Sequence, residues 1–108
     1  MDFSDLLKMV VQKNASDLFV TAGIPPSIKV NGTVAPVSQA ALSAEQTRAL
    51  ALSLMDARQR EEFDRTHECN FAINPDGIGR FRVNVFVQQQ RVGMVLRKIE
   101  TVIPNLEQ

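Results

Sequence analysis

The sequence predicts an antiparallel α+β domain, and three observations carry that prediction. Hairpin signals recur along the chain: Asn31-Gly32 sits between two short apolar runs, and two long alternating segments adjoin over Arg80–Ile99. Helical periodicity is confined to the start and the middle of the chain. No strand–helix–strand alternation of the kind that builds a parallel sheet is present, so hairpins dominate.

Taken in order, Phe3, Leu6, Leu7, Val10 and Val11 fall at the spacing of an amphipathic helix, and Asn14 is a suitable stop. Ser16-Asp17-Leu18-Phe19-Val20-Thr21 reads as a short strand, opened by a Ser-Asp turn whose polar side chains bond nearby backbone. Gly23-Ile24-Pro25-Pro26 breaks it and holds the next segment extended. Ser27–Val30 and Thr33–Ala35 then form a hairpin about Asn31-Gly32. Ser43 with Gln46 is a capping box ahead of an apolar stripe of Thr47, Leu50, Ala51 and Leu54. Asp56 with Gln59 repeats the cap and starts a shorter, charged helix anchored by Phe63. From His67 the chain returns to strand over Glu68–Ile73, turns at Asn74-Pro75-Asp76-Gly77, and enters the final hairpin.

That hairpin, RFRVNVFVQQQRVGMVLRKI, fixes its own register. Phe81, Val83, Val85 and Val87 share one face, while Arg80, Arg82, Asn84 and Phe86 share the other. Matching them to Val92, Met94 and Leu96 sets Phe81 opposite Lys98, Val83 opposite Leu96 and Val85 opposite Met94; a one-residue slip would turn the apolar row outward. The same register sets Arg82 opposite Arg97 on the face away from the core. Directly opposed like charges cost a sheet roughly 0.2–1 kcal/mol, and no neighbouring segment offers them an obvious anion. Exposed arginines also serve simply to solvate a sheet and guard it from aggregation, and that reading stays open. Gln89-Gln90 is poor chemistry for a two-residue turn, which favours a four-residue loop, Gln88–Arg91, with the same pairing.

The length of 108 residues suits one domain. Twelve basic and twelve acidic residues cancel, and neither Trp nor Tyr is present, which together argue against a nucleic-acid binder. There is no apolar run of membrane-spanning length and no signal-peptide pattern at Met1; with a single cysteine, this indicates a cytoplasmic setting. No GxxxxGK[ST] phosphate loop occurs, so these residues hold no P-loop nucleotide site of their own. Cys69 has no adjacent cation and reads as an inert buried thiol. His67, the only histidine, has no metal-ligand partners and fits a helix C-terminus, and Glu61, Glu62 and Asp64 lack the loop pattern of a calcium site.

A family resemblance adds to this. Ala15-Ser16-Asp17-Leu18-Phe19, Ala22-Gly23-Ile24-Pro25-Pro26, Lys29-Val30-Asn31-Gly32, Gly79–Phe86, Val95-Leu96-Arg97 and Ile103-Pro104-Asn105-Leu106 resemble, in order and spacing, the N-terminal domain of type IV pilus retraction ATPases, the PilT/PilU family. Phe19, where PilT-like members usually have His, and the segments Glu68–Ile73 and Val92–Thr101 resemble the PilU branch. The resemblance implies a PAS-like antiparallel sheet with flanking helices over residues 1–108, followed in full-length proteins by a RecA-like ATPase core absent from this sequence. It implies a hexameric motor at the cytoplasmic face of the inner membrane, using ATP and Mg²⁺, driving pilus retraction and twitching motility. The expected partners are its own core, neighbouring subunits of a homo-hexamer, PilT-like motor subunits and the pilus base machinery; association with the inner-membrane complex is peripheral at most. These residues alone are expected to be non-catalytic and to bind no cofactor of their own. Family N-terminal domains supply arginines toward nucleotide; the matching positions are Arg82 and Arg97, with Arg80 a weaker candidate. Two other functional classes compete: a stand-alone PAS-like module sensing a small ligand, and a pure protein-interaction domain.

Overall fold

The computed structural model describes residues 3–99. Three helices and six strands follow one another as α1 (Phe3–Gln12), β1 (Asp17–Thr21), β2 (Ser27–Val30), β3 (Thr33–Pro36), α2 (Ala44–Leu54), α3 (Ala57–Thr66), β4 (Glu68–Ile73), β5 (Phe81–Gln88) and β6 (Arg91–Lys98). All strand pairs are antiparallel and the sheet order is β3-β2-β1-β6-β5-β4. The α+β expectation therefore holds, as does the order of every predicted element. Because β3 and β4 lie at opposite edges, α2 and α3 carry the chain back across one face of the sheet.

Local chemistry explains the element ends. Asn14 stops α1 with φ 55°, and both predicted capping boxes form, Ser43 with Gln46 and Asp56 with Gln59. His67 terminates α3 in the left-handed region, donating its backbone N–H to the Phe63 carbonyl at 2.7 Å, so it is a helix C-cap as expected.

The apolar rows of the strands and the helices meet in one core. Leu18, Val20, Phe81, Val83, Val85, Met94 and Leu96 are fully buried there, with Leu7 and Val10 of α1, Ala51 of α2 and Phe63 of α3. Val11 departs from the predicted helix stripe: it is 41% exposed, because the buried face of α1 is the narrower set Leu6, Leu7 and Val10.

The register of the last hairpin is the predicted one, with Phe81 opposite Lys98, Arg82 opposite Arg97, Val83 opposite Leu96 and Val85 opposite Met94. Its turn is not. Pairing continues to Gln88 opposite Arg91, leaving Gln89 and Gln90 as a two-residue turn at φ 53° and 64°. Positive φ at both central residues is the turn whose twist matches the strands, and the apolar pairs below hold the register tightly enough to force it on residues that disfavour it. The four-residue loop is thus corrected to a two-residue one.

Candidate functional site

Among the described residues no helix covers the second face of the sheet, and the strand pairing makes that face a grid. One cross-strand row runs Lys29, Asp17, Arg97, Arg82, Ala72; the next runs Ser27, Phe19, Val95, Asn84, Asn70. Gly93 pairs with Phe86 in the third row, and a Cβ at Gly93 would sit 2.8 Å from the Phe86 ring. The edge of that ring therefore occupies the space a side chain at Gly93 would need.

Arg82 and Arg97 do come together. With Asn70, Asn84 and Val95 they line an open hollow of about 280 Å³. Arg80 does not join them: it precedes β5, is exposed, and takes part through its backbone carbonyl, which accepts from Ile99 N–H at 3.0 Å. Beside the arginines, Asn84 Oδ1 is buried, and among the described residues nothing donates a hydrogen bond to it. Two guanidinium groups thus flank one solvent-open hollow, with an unused acceptor buried beside it. Guanidinium forks match phosphate or carboxylate oxygens in pairs, while a free amide oxygen accepts from a hydroxyl or amino group.

The sequence reading left the arginine pair without an anion from this chain. The structure supplies one for Arg97. Asp17 lies on the neighbouring strand, its Oδ1 accepting from Arg97 Nε at 3.3 Å, and its side chain is 8% exposed against 73% for Arg97. Ser16 Oγ donates to the other oxygen, Asp17 Oδ2, at 2.8 Å. The Ser16-Asp17 turn expected from sequence is corrected accordingly. Asp17 is the first residue of β1, and its partners are the Arg97 and Ser16 side chains rather than local backbone. Arg82 has no ion-pair partner among the described residues.

Other candidates sit elsewhere in the fold. Cys69 is 2% exposed; burial, then the nearby carboxylates of Glu62 and Asp56, push its thiol pKa up, the opposite of a reactive cysteine. Glu61, Glu62 and Asp64 stand on the exposed surface of α3, where Asp64 pairs with Arg48 at 3.7 Å. Among the described residues no helix is long and apolar enough to cross a membrane. The family-matching residues Glu100, Thr101 and Ile103–Leu106 lie outside the described residues.

Comparison with known proteins bears on the chain as a whole. No family model matches the chain. The type IV pilus ATPase PilU of Pseudomonas aeruginosa is 58% identical over 108 residues, all of this chain and 28% of that protein. The retraction ATPase PilT of the same organism is 36% identical over the whole chain and 31% of its own length. Among solved structures, the pilus retraction motor PilT with bound ADP superposes with a TM-score of 0.89 at 28% identity, covering 99% of this chain and 32% of that one. The chain thus spans less than a third of the length of each of these relatives. Over its full length the chain aligns with PilT/PilU-type ATPases and corresponds to their N-terminal region.

Proposed function

We propose that these residues form the N-terminal domain of a PilU-like hexameric motor ATPase, which retracts type IV pili and so drives twitching motility. In this reading the helix-free face of the sheet meets ATP held by a RecA-like core, with Arg82 and Arg97 directed at its phosphates and Arg80 peripheral. The observation that carries it is the placement of Arg82 directly opposite Arg97 in an open hollow, in a domain matching a motor with bound ADP. Paired, permanently charged guanidinium groups suit a polyphosphate and stabilise charge that develops on the transferred phosphoryl group. In this reading the core holds the ATP together with its Mg²⁺. The domain would act at the cytoplasmic face of the inner membrane, packed against its own and neighbouring cores and working beside PilT-like subunits.

Phe63, Phe81, Leu18 and Met94 fill the centre of the core, while an open, mostly apolar hollow of about 460 Å³ lies between α1 and the β2–β3 hairpin, lined by Met9, Ile28, Val30 and Val37. The test is kinetic. In the full-length protein, Arg82→Ala and Arg97→Ala should each lower ATP turnover by about tenfold or more, as loss of charge stabilisation at a phosphoryl group does. Unchanged turnover in both variants would remove the arginines from the mechanism.

A further inference from the structure

The two arginines of the hollow are held very differently. Arg97 is tied at Nε by a nearly buried carboxylate, and that carboxylate is itself fixed by Ser16 Oγ. Among the described residues nothing comparable holds Arg82. We propose that Asp17, backed by Ser16, is a positioning residue for Arg97: it sets the guanidinium plane by its Nε edge and so leaves the Nη groups to meet an anion in the hollow. This inference rests on the reading above, in which that anion is the polyphosphate of a bound nucleotide.

The geometry supports positioning over simple charge balance. Arg97 has no other side-chain bond, so its Nη groups carry no protein partner among the described residues. Without Asp17 the long arginine side chain would be free to sample many rotamers above the sheet, and anion binding would have to freeze them. The carboxylate also has an opposing effect, because its negative charge repels a phosphate, though the Arg97 guanidinium paired with it offsets much of that charge. The two effects are separable by substitution. In Asp17→Asn the amide oxygen still accepts from Arg97 Nε, and its NH₂ donates to Ser16 Oγ in place of the hydroxyl's donation. Orientation survives while the charge is lost. In Asp17→Ala both are lost.

The experiment is a titration of the full-length variants with the slowly hydrolysed analogue ATPγS, alongside circular dichroism to confirm folding. Positioning predicts that Asp17→Ala weakens binding about fivefold to tenfold, within the range set by freezing one long side chain, and that Asp17→Asn stays within about threefold of the parent. Ser16→Ala should give a smaller loss that Ser16→Thr restores, since threonine keeps the hydroxyl donor. In an Arg97→Ala background Asp17→Ala should have no further effect, whereas a merely structural role would weaken both backgrounds alike. Equal effects of Asn and Ala at position 17, or an undiminished effect without Arg97, would overturn the proposal. If Arg97→Ala itself leaves ATPγS binding unchanged, the failure lies with the nucleotide reading, and the positioning role falls with it.

Discussion

The two faces of the sheet are built from the same strands, residue by residue in alternation, yet they answer to different constraints. On the inner face Phe81, Val83, Val85, Met94 and Leu96 are fully buried, and volume decides what is tolerated. On the outer face Arg82, Asn84, Val95 and Arg97 stand around an open hollow, where like charges sit opposite one another and an acceptor is left unused. The contrast teaches that within one hairpin one parity of residues holds the domain together and the other parity is available for binding.

Substitutions can break or sharpen this contrast. The largest expected effect is on the inner face: Phe81→Ala removes a fully buried ring and should destabilise the domain by about 3–5 kcal/mol in urea unfolding. A substantially smaller loss would mean the core repacks more freely than its burial implies. Next is Gly93→Ala, where the new methyl meets the Phe86 ring at 2.8 Å and Thr21 Cγ2 at 3.3 Å. The ring is only half-buried and can swing toward solvent, so a cost of about 1–2 kcal/mol is expected, at the low end for overpacking. Replacing Gln89-Gln90 by Asn-Gly should raise stability by about 1 kcal/mol, because the turn needs positive φ at both positions; no gain would show that the glutamines are not strained there.

The smallest stability changes belong to the outer face and to the thiol. Arg82→Ala should alter unfolding free energy by no more than about 0.5 kcal/mol, with relief of the Arg97 opposition offsetting lost contacts, even where turnover collapses. Cys69 gives a sign-checkable pH effect. Burial raises its pKa in the folded domain, so above the ordinary thiol range the unfolded chain loses a proton that the folded one keeps. Stability should therefore decline as the solution becomes alkaline through that range, and Cys69→Ala should flatten the decline.

Much of this was legible from sequence because alternation is a local signal. The facing rows of β5 and β6 required only that apolar residues meet apolar residues, and that alone placed Arg82 against Arg97. The Asn31-Gly32 turn and both capping boxes were equally local. The role of Asp17 was not, since its partner Arg97 is 80 residues away and the contact exists only because β1 and β6 are neighbours. Nothing in Ser16-Asp17 itself distinguishes a turn opener from a strand residue with a distant cation. The Gln89-Gln90 turn escaped for a related reason: register imposed from the core overrode what the turn residues would choose.

The place of β6 has a consequence for how the domain comes into being. It sits between β1 and β5, so it joins a three-stranded piece, β3-β2-β1, to a two-stranded one, β5-β4. A nascent chain leaving the ribosome exposes both pieces as open edges until Arg91–Lys98 emerges and inserts. Sheet completion then depends on closing a loop that spans most of the domain, the slow and aggregation-prone kind of step. Substitutions that weaken β6 should therefore lower the yield of correctly assembled protein during synthesis more than its equilibrium stability suggests.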